Sequence, residues 1–399
     1  MTSAVYEDFA RAYLTEVAAS VRHMFTRGTE AAALLKSAVD GGARVRAFGN
    51  GGSSAIVRSA LLQLRAHAEL LVDDAMMSPA AMAYGAQRQD YRTVFAQSLA
   101  RDIDQAGLVI VASVSGRSAN ILEAVRLCGE TRVPVLAVVG GDGTQMEPVD
   151  GMVWATGTTD QQISEDATLT ALTWATDSAL APPQEPLPTG QERALHALAA
   201  VDVPLLAGFL QGATEAVADA VRSRRRIYVL CPDGGPLALA GEHFAHNLSW
   251  DAPLGVEGVR PPLVVCDPSL ADMSAIYNDH PDPAHGARHR LSSALPQDVV
   301  FLLTYDSDGR TAQEAVRAAA AAGTRLFLLH RDGPALPGTG QAFTLPPADD
   351  FTQAALVQSA AHLLCRTTRA TLAAGPSPVD LMAQDLAPLR ELSNAPQSL

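Results

Sequence analysis

The chain has 399 residues, 48% of them hydrophobic and 18% charged, with a formal net charge of −14. It contains a single lysine, Lys36, in a plain helical stretch (AALLKSAVDGG). That excludes a P-loop, which needs a lysine after its glycine turn, and a Schiff-base enzyme, which needs an amine nucleophile. An acidic chain without basic runs is also a poor counter-ion for phosphate backbones, so no nucleic-acid partner is expected.

Residues 3–37 carry helical periodicity through Tyr6, Phe9, Tyr13, Val17 and Val21. GGARVRAFGNGGSSA then reads as turn, strand and glycine-rich loop, followed by a helix from about Ala55 to Ala68. Further strands are expected at AGLVIVASVSG and VPVLAVVGG, with the helix SANILEAVRLCGE between them. Such alternation of helices with continuously apolar strands indicates a parallel sheet covered on both faces. The proline-rich stretch ALAPPQEPLPTGQE reads as a linker.

The same order then recurs: the helical ERALHALAAVDVPLLAGFLQGATEAVADAVRS, the strand and glycine loop RRRIYVLCPDGGP, the strand DVVFLLTYD, the helix TAQEAVRAAAAAG and the strand TRLFLLHRDG. Gly51-Gly52 aligns with Gly234-Gly235. The expected plan is therefore a duplication: a first domain at 1–181, a linker at 182–189, a second domain at 190–375 and a polar tail at 376–399. The run Arg222–Arg226 is read as a solvated helix end. The strand-sized apolar runs fall short of the ~20 residues a bilayer crossing needs, and the first residues lack the basic and apolar regions of a secretory signal. Cys128, Cys231, Cys266 and Cys365 are widely spaced without a CxxC pair. Reduced thiols in a cytoplasmic protein with no membrane partner are expected.

The turn Ser113-Val114-Ser115-Gly116-Arg117-Ser118 follows an apolar strand and precedes a helix. Hydroxyls and backbone N–H groups converging on a helix N-terminus favour an anion, and Gly116 permits the tight turn. An ordinary serine cap is the competing reading of Ser118.

Together GNGGSS (Gly49–Ser54), SVSGRSANILEA (Ser113–Ala124) and VLAVVGGDG resemble the SIS family of phosphosugar-binding domains, most closely its phosphoheptose isomerase branch. The resemblance covers most of residues 5–180, and GEHFAHNL, SAIYND and QSAAHLLCR in the second half resemble other segments of that branch. It implies two flavodoxin-like α/β SIS domains binding a phosphorylated sugar at the carboxyl ends of their strands. The phosphate would lie on Ser53, Ser54, Ser113, Ser115 and Ser118, with Asn50, Gly51 and Asp279 as further substrate contacts. The implied reaction moves a carbonyl between C2 and C1 through an enediol, which needs acid/base groups.

The family's acid/base and metal set is divided between the halves. Where the first half should carry His then Glu it has Ser59 and Gln63, and the later helix has Glu165 but Thr173 in place of His. Gln87-Arg88 stands where Asn-Asp is expected. The second half has His243, Asn278-Asp279 and His362, but Asn247 replaces the Glu and the serine turn has become Asp306-Ser307-Asp308-Gly309-Arg310-Thr311. Two carboxylates there would repel a phosphate unless Arg310 compensates. His362, His243 and Glu165 are accordingly the candidate catalytic groups, in a site composed from both halves. Glu165-Asp166 could form a proton-accepting pair, or Asp166 could be exposed. His243 and His246 beside Glu242 could ligate a metal or form a solvated stripe, and His67 is a spare candidate. Without Glu at 247, no metal or cofactor is expected.

The reading is thus a sedoheptulose 7-phosphate isomerase-like aldose–ketose isomerase working as a homodimer of four domains. A non-catalytic phosphosugar-binding or regulatory protein and a hexose-phosphate isomerase are the alternatives.

Overall fold

The structure is a computed structural model. It describes all residues except 1, 68–71, 74–78, 89, 147–148, 182–186, 254–255, 267–281, 283, 335, 337–339 and 374–399. The chain divides into two compact units, Val17–His196 and the combination of Met1–Glu16 with Ala197–Leu399.

In the amino-terminal unit, strands β1 (Arg44–Gly49), β2 (Val72–Asp73), β3 (Ala106–Ser113), β4 (Val135–Val139) and β5 (Gly151–Ala155) form one parallel sheet in the order β2-β1-β3-β4-β5. Every residue of β4 and the last six of β3 are buried, as expected of strands covered on both faces. The helices are α1 (Ser3–Phe25, shared with the other unit), α2 (Gly28–Asp40), α3 (Gly52–His67), α4 (Pro79–Arg88), α5 (Val94–Leu99), α6 (Ala119–Thr131) and α7 (Gln161–Leu180). Helix α6 turns Ile121, Ala124, Val125 and Cys128 onto the core, where they meet Val109, Val111, Val135 and Ala137. Helix α7 is buried almost all round, polar residues included. Asp160 caps it by accepting a hydrogen bond from Ile163 N at 3.0 Å.

The carboxy-terminal unit repeats the topology. Its strands are β6 (Arg226–Leu230), β7 (Leu263–Val265), β8 (Val299–Asp306), β9 (Arg325–Asp332) and β10 (Gln341–Thr344), parallel and in the order β10-β9-β8-β6-β7. Read from the other edge, both sheets have the order 2-1-3-4-5 of the flavodoxin-like doubly wound fold. The helices are α8 (Leu187–Ala199, of which 187–196 group with the amino-terminal unit), α9 (Val203–Ser223), α10 (Gly235–His246), α11 (Ala284–Leu291), α12 (Arg310–Ala322) and α13 (Asp350–Leu372). A π-helical turn, Asn247–Asp251, extends α10.

Three details differ from the sequence reading. The long helical stretch before β6 is broken, because the Asp202 side chain accepts a hydrogen bond from Leu205 N at 2.9 Å and starts a new helix with Pro204 in its first turn. Helix α8 begins at Leu187, inside the expected linker. The leading sixteen residues group with the second repeat, while 187–196 group with the first. Among the described residues, no single helix is long and apolar enough to cross a membrane.

Candidate functional site

In the amino-terminal unit, the glycine loop and the serine turn follow β1 and β3, adjacent parallel strands, so both lie at the carboxyl edge of the sheet. Gly49 is required there, since a Cβ would fall 2.6 Å from the Ser53 carbonyl oxygen. Gly51 and Gly116 take left-handed φ values of 52° and 61°. Ser53 is buried and Ser54 half-buried in the first turn of α3.

Ser113 is buried at the end of β3, and its Oγ lies 3.2 Å from Ser118 Oγ. Ser118 occupies the N-cap of α6, yet its side chain makes no capping hydrogen bond. Ser115 is exposed, and its Oγ accepts from Arg117 N at 3.2 Å. Two hydroxyls thus lie side by side at the positive end of a helix that neither of them caps, which suits an anion.

The two loops are tied together. Asn50 and Asn120 exchange reciprocal amide hydrogen bonds of 2.9 Å, and Tyr91 Oη donates to Asn50 Oδ1 at 2.8 Å. Asn50, expected as a substrate contact, is therefore engaged within the protein. Asn120 and Tyr91 were not singled out from sequence, because their role depends on partners 70 and 41 positions away. Asp279 lies outside the described residues. His67 ends α3, and nothing is described of its side chain.

Helix α7 carries Glu165 and Asp166, both buried. The possibility that Asp166 is exposed is thus corrected: neighbours cover α7 on every side. Gln161 Nε2 donates to Glu165 Oε1 at 3.5 Å. On α3, Ser59 and Gln63 are also buried, and Gln63 donates to Asp177 and to the Thr173 carbonyl. At the position where the family's Glu is expected, Gln63 thus ties α3 to α7, whereas Ser59 Oγ makes no hydrogen bond among the described residues.

In the carboxy-terminal unit, helices α10 and α13 bring His243 and His362 together. Both are buried, with ring centroids 5.1 Å apart and planes at 81°. His243 Nδ1 lies 2.8 Å from Gln358 Oε1. An amide oxygen only accepts, so Nδ1 carries the proton and Nε2 is the basic nitrogen. Asn247, one turn after His243, is wholly buried, and neither atom of its amide has a hydrogen-bond partner among the described residues. Glu242 is exposed while His243 is buried, so the two do not share a metal-binding face.

The anion loop of this unit is occupied by its own chain. Asp233 Oδ2 accepts from Thr304 Oγ1 at 2.7 Å and from Tyr305 N at 2.6 Å. Ser307 Oγ donates to the carbonyls of Asp332 and Pro334. Arg310 pairs with Asp282 at 2.9 Å rather than offsetting the carboxylates of its own turn.

Residues 6–140 match the model of the SIS domain. This stretch is a SIS domain. Its serine turn and glycine loop are the features just described at the carboxyl edge of β1 and β3. No curated protein matches the chain in sequence. Among solved structures, the C-terminal domain of glucosamine-fructose-6-phosphate aminotransferase from Francisella tularensis covers 92% of this chain and 98% of its own, at 12% identity and a TM-score of 0.60. Glucosamine-6-phosphate deaminase from Thermotoga maritima covers 90% and 96%, at 11% identity and a TM-score of 0.51. Phosphoheptose isomerase from Neisseria gonorrhoeae covers 42% of this chain at 20% identity, with a TM-score of 0.39. The first two likenesses establish the two-unit SIS-like fold.

Proposed function

We propose that the protein is a phosphosugar aldose–ketose isomerase of the sedoheptulose 7-phosphate type. The observation that carries the catalytic part is the buried pair His243–His362, with His243 held in one tautomer by Gln358. A neutral imidazole with a fixed basic nitrogen can take a proton from a carbon next to a carbonyl, and a second imidazole can return one to the neighbouring carbon. Glu165, buried on α7, is the further candidate for the carboxylate share of this work.

The phosphate is assigned to Ser53, Ser54, Ser113, Ser115 and Ser118, whose hydroxyls stand in for an absent lysine. Asn50 holds the glycine loop against α6 rather than reaching the sugar itself. In this reading substrate recognition and proton transfer fall to different repeats. This reading uses no metal, and stoichiometric zinc in protein dialysed against a weak chelator would overturn that part of it.

The test is sugar isomerisation in deuterium oxide followed by NMR, with sedoheptulose 7-phosphate and fructose 6-phosphate as substrates. We expect deuterium at C1 or C2 with the first substrate. His362→Ala should lower turnover by at least about 100-fold, while Ser115→Ala should chiefly raise KM. Unchanged turnover in His362→Ala would refute the catalytic assignment. Binding without any exchange in the native protein would favour a phosphosugar-binding protein, the alternative that Asn247 in place of a glutamate supports.

A further inference from the structure

Beyond the sugar-phosphate site, the carboxy-terminal unit holds a cleft of about 370 Å³ lined by Arg226, Tyr228, Leu263, Val265, His289, Arg290, Ser292 and Ser293. Its origin lies in the fold. Arg226 and Leu263 open β6 and β7 and are paired in register, as are Tyr228 and Val265. Alternate residues of a strand share a face, so these four side chains form one surface on the two strands at the sheet edge. Helix α11 has only eight residues and covers part of that surface through Ala287 and Leu291. The end of α11 and the turn after it supply His289, Arg290, Ser292 and Ser293 as the cleft wall.

The cleft lies at the amino-terminal ends of the strands, the opposite edge from the Asp233 and Asp306 loops. Among the described residues, two guanidinium groups, an imidazole and three hydroxyls line it, and no carboxylate does. Arg226 is fixed by donating from Nη1 to the Ser293 carbonyl at 2.9 Å, with Ser293 Oγ and Tyr228 Oη each 3.4 Å away. The nearby carboxylate of Asp298 is committed behind the strand, accepting from the backbone N–H groups of Arg226 and Leu295. Arg288, which does not line the cleft, pairs with Asp282 and Glu314. Arg226 therefore belongs to a strand and a cleft rather than to the solvated helix end expected from the arginine run.

We propose that this cleft is a second anion site that binds a small organic phosphate with an apolar or aromatic body. The Arg226 guanidinium with the Ser293 hydroxyl, on a wall that also carries the Arg290 guanidinium, matches the acceptor oxygens of a phosphate dianion, and Leu263 and Val265 provide the apolar wall for the remainder of the ligand. The volume is at the lower end of the range for small-molecule sites.

The test is calorimetric titration of phenyl phosphate into full-length Ser115→Ala/Ser118→Ala protein, in which the serine turn is disabled. We expect saturable binding at one site per chain, weakened at least tenfold by Arg226→Gln or by Ser292→Asp. Ser292 is exposed, so its substitution leaves the packing intact; it gives up the hydrogen bond that Ser292 Oγ donates to the His289 carbonyl at 2.6 Å and adds a repelling charge. Inorganic phosphate should bind more weakly than phenyl phosphate, and benzoate more weakly still. No saturable binding, or binding that neither substitution affects, overturns the site. Benzoate bound as tightly as phenyl phosphate overturns its assignment to phosphates, and inorganic phosphate bound as tightly removes the apolar wall from it.

Discussion

Serine at a helix N-cap ordinarily spends its hydroxyl on the helix, and losing it costs about 1 kcal/mol. Ser118 does not cap α6 but faces Ser113. Ser118→Ala should therefore leave thermal stability nearly unchanged while weakening sugar-phosphate binding by roughly tenfold, the worth of one hydrogen bond to a charged group. Asp160→Ala, removing the cap of α7, is the opposite control: about 1 kcal/mol of stability lost, read by urea unfolding. Asn120→Ala should move both quantities. It deprives the half-buried Asn50 amide of its two hydrogen bonds with Asn120, leaving only that from Tyr91, at a cost of about 1–3 kcal/mol, and it releases the glycine loop from α6, so binding weakens as well. Weakened binding with full stability would show instead that Asn120 touches the ligand. At this scale the serine turn was legible in the sequence because its residues are neighbours along the chain. The Asn50–Asn120–Tyr91 tie and the Gln358–His243 bond were not, since each joins positions that only the folded sheet and helices bring together.

A loop that has become its own ligand argues about elements. Asp233 sits where the second repeat could present N–H groups to a phosphate, and its carboxylate already accepts from Tyr305 N and Thr304 Oγ1. Charge repulsion from Asp233, Asp306 and Asp308 adds to that occupancy. The full-length protein should accordingly bind one sugar phosphate per chain at the carboxyl edges of its sheets, and equilibrium dialysis with radiolabelled substrate reads the ratio directly. Two equivalent sites per chain would contradict the account of this loop. Asp233→Ala should cost stability, about 1.5–3 kcal/mol for hydrogen bonds to a charged acceptor, and should not raise the ratio while the other two carboxylates remain. The order 2-1-3-4-5 of both sheets could be anticipated because strand–helix alternation and right-handed crossovers leave few alternatives. The break before Val203 was missed because apolar periodicity runs through it. The signal was present in Asp202 and Pro204, a cap and a helix-initiating proline.

The whole molecule differs from two consecutive domains in how its ends are shared. Residues 1–16 belong to the carboxy-terminal unit, and 187–196 to the amino-terminal one. Periodicity revealed α1 as amphipathic, but nothing local specifies which repeat its apolar face joins. Tyr6, Phe9 and Tyr13 are fully buried. Tyr13 lies beneath the Arg366 guanidinium at 5.1 Å, and burial, opposed by hydrogen bonds with Thr214 and Thr371, raises the Tyr6 phenol above its ordinary pKa. Burying an aromatic side chain contributes about 1.5–3 kcal/mol, so these three together approach the ~5–15 kcal/mol stability of an entire domain. A fragment cut at the expected linker and comprising 190–399 should therefore fail to fold cooperatively. It should show shallow urea transitions and bind a hydrophobic dye. Fusing residues 1–16 to it through a flexible linker should restore a sharp transition, and Tyr13→Ala within that fusion should abolish most of the gain. A fragment 190–399 that unfolds cooperatively by itself would mean that the leading helix contributes little, and that the two repeats are separable where the prolines lie.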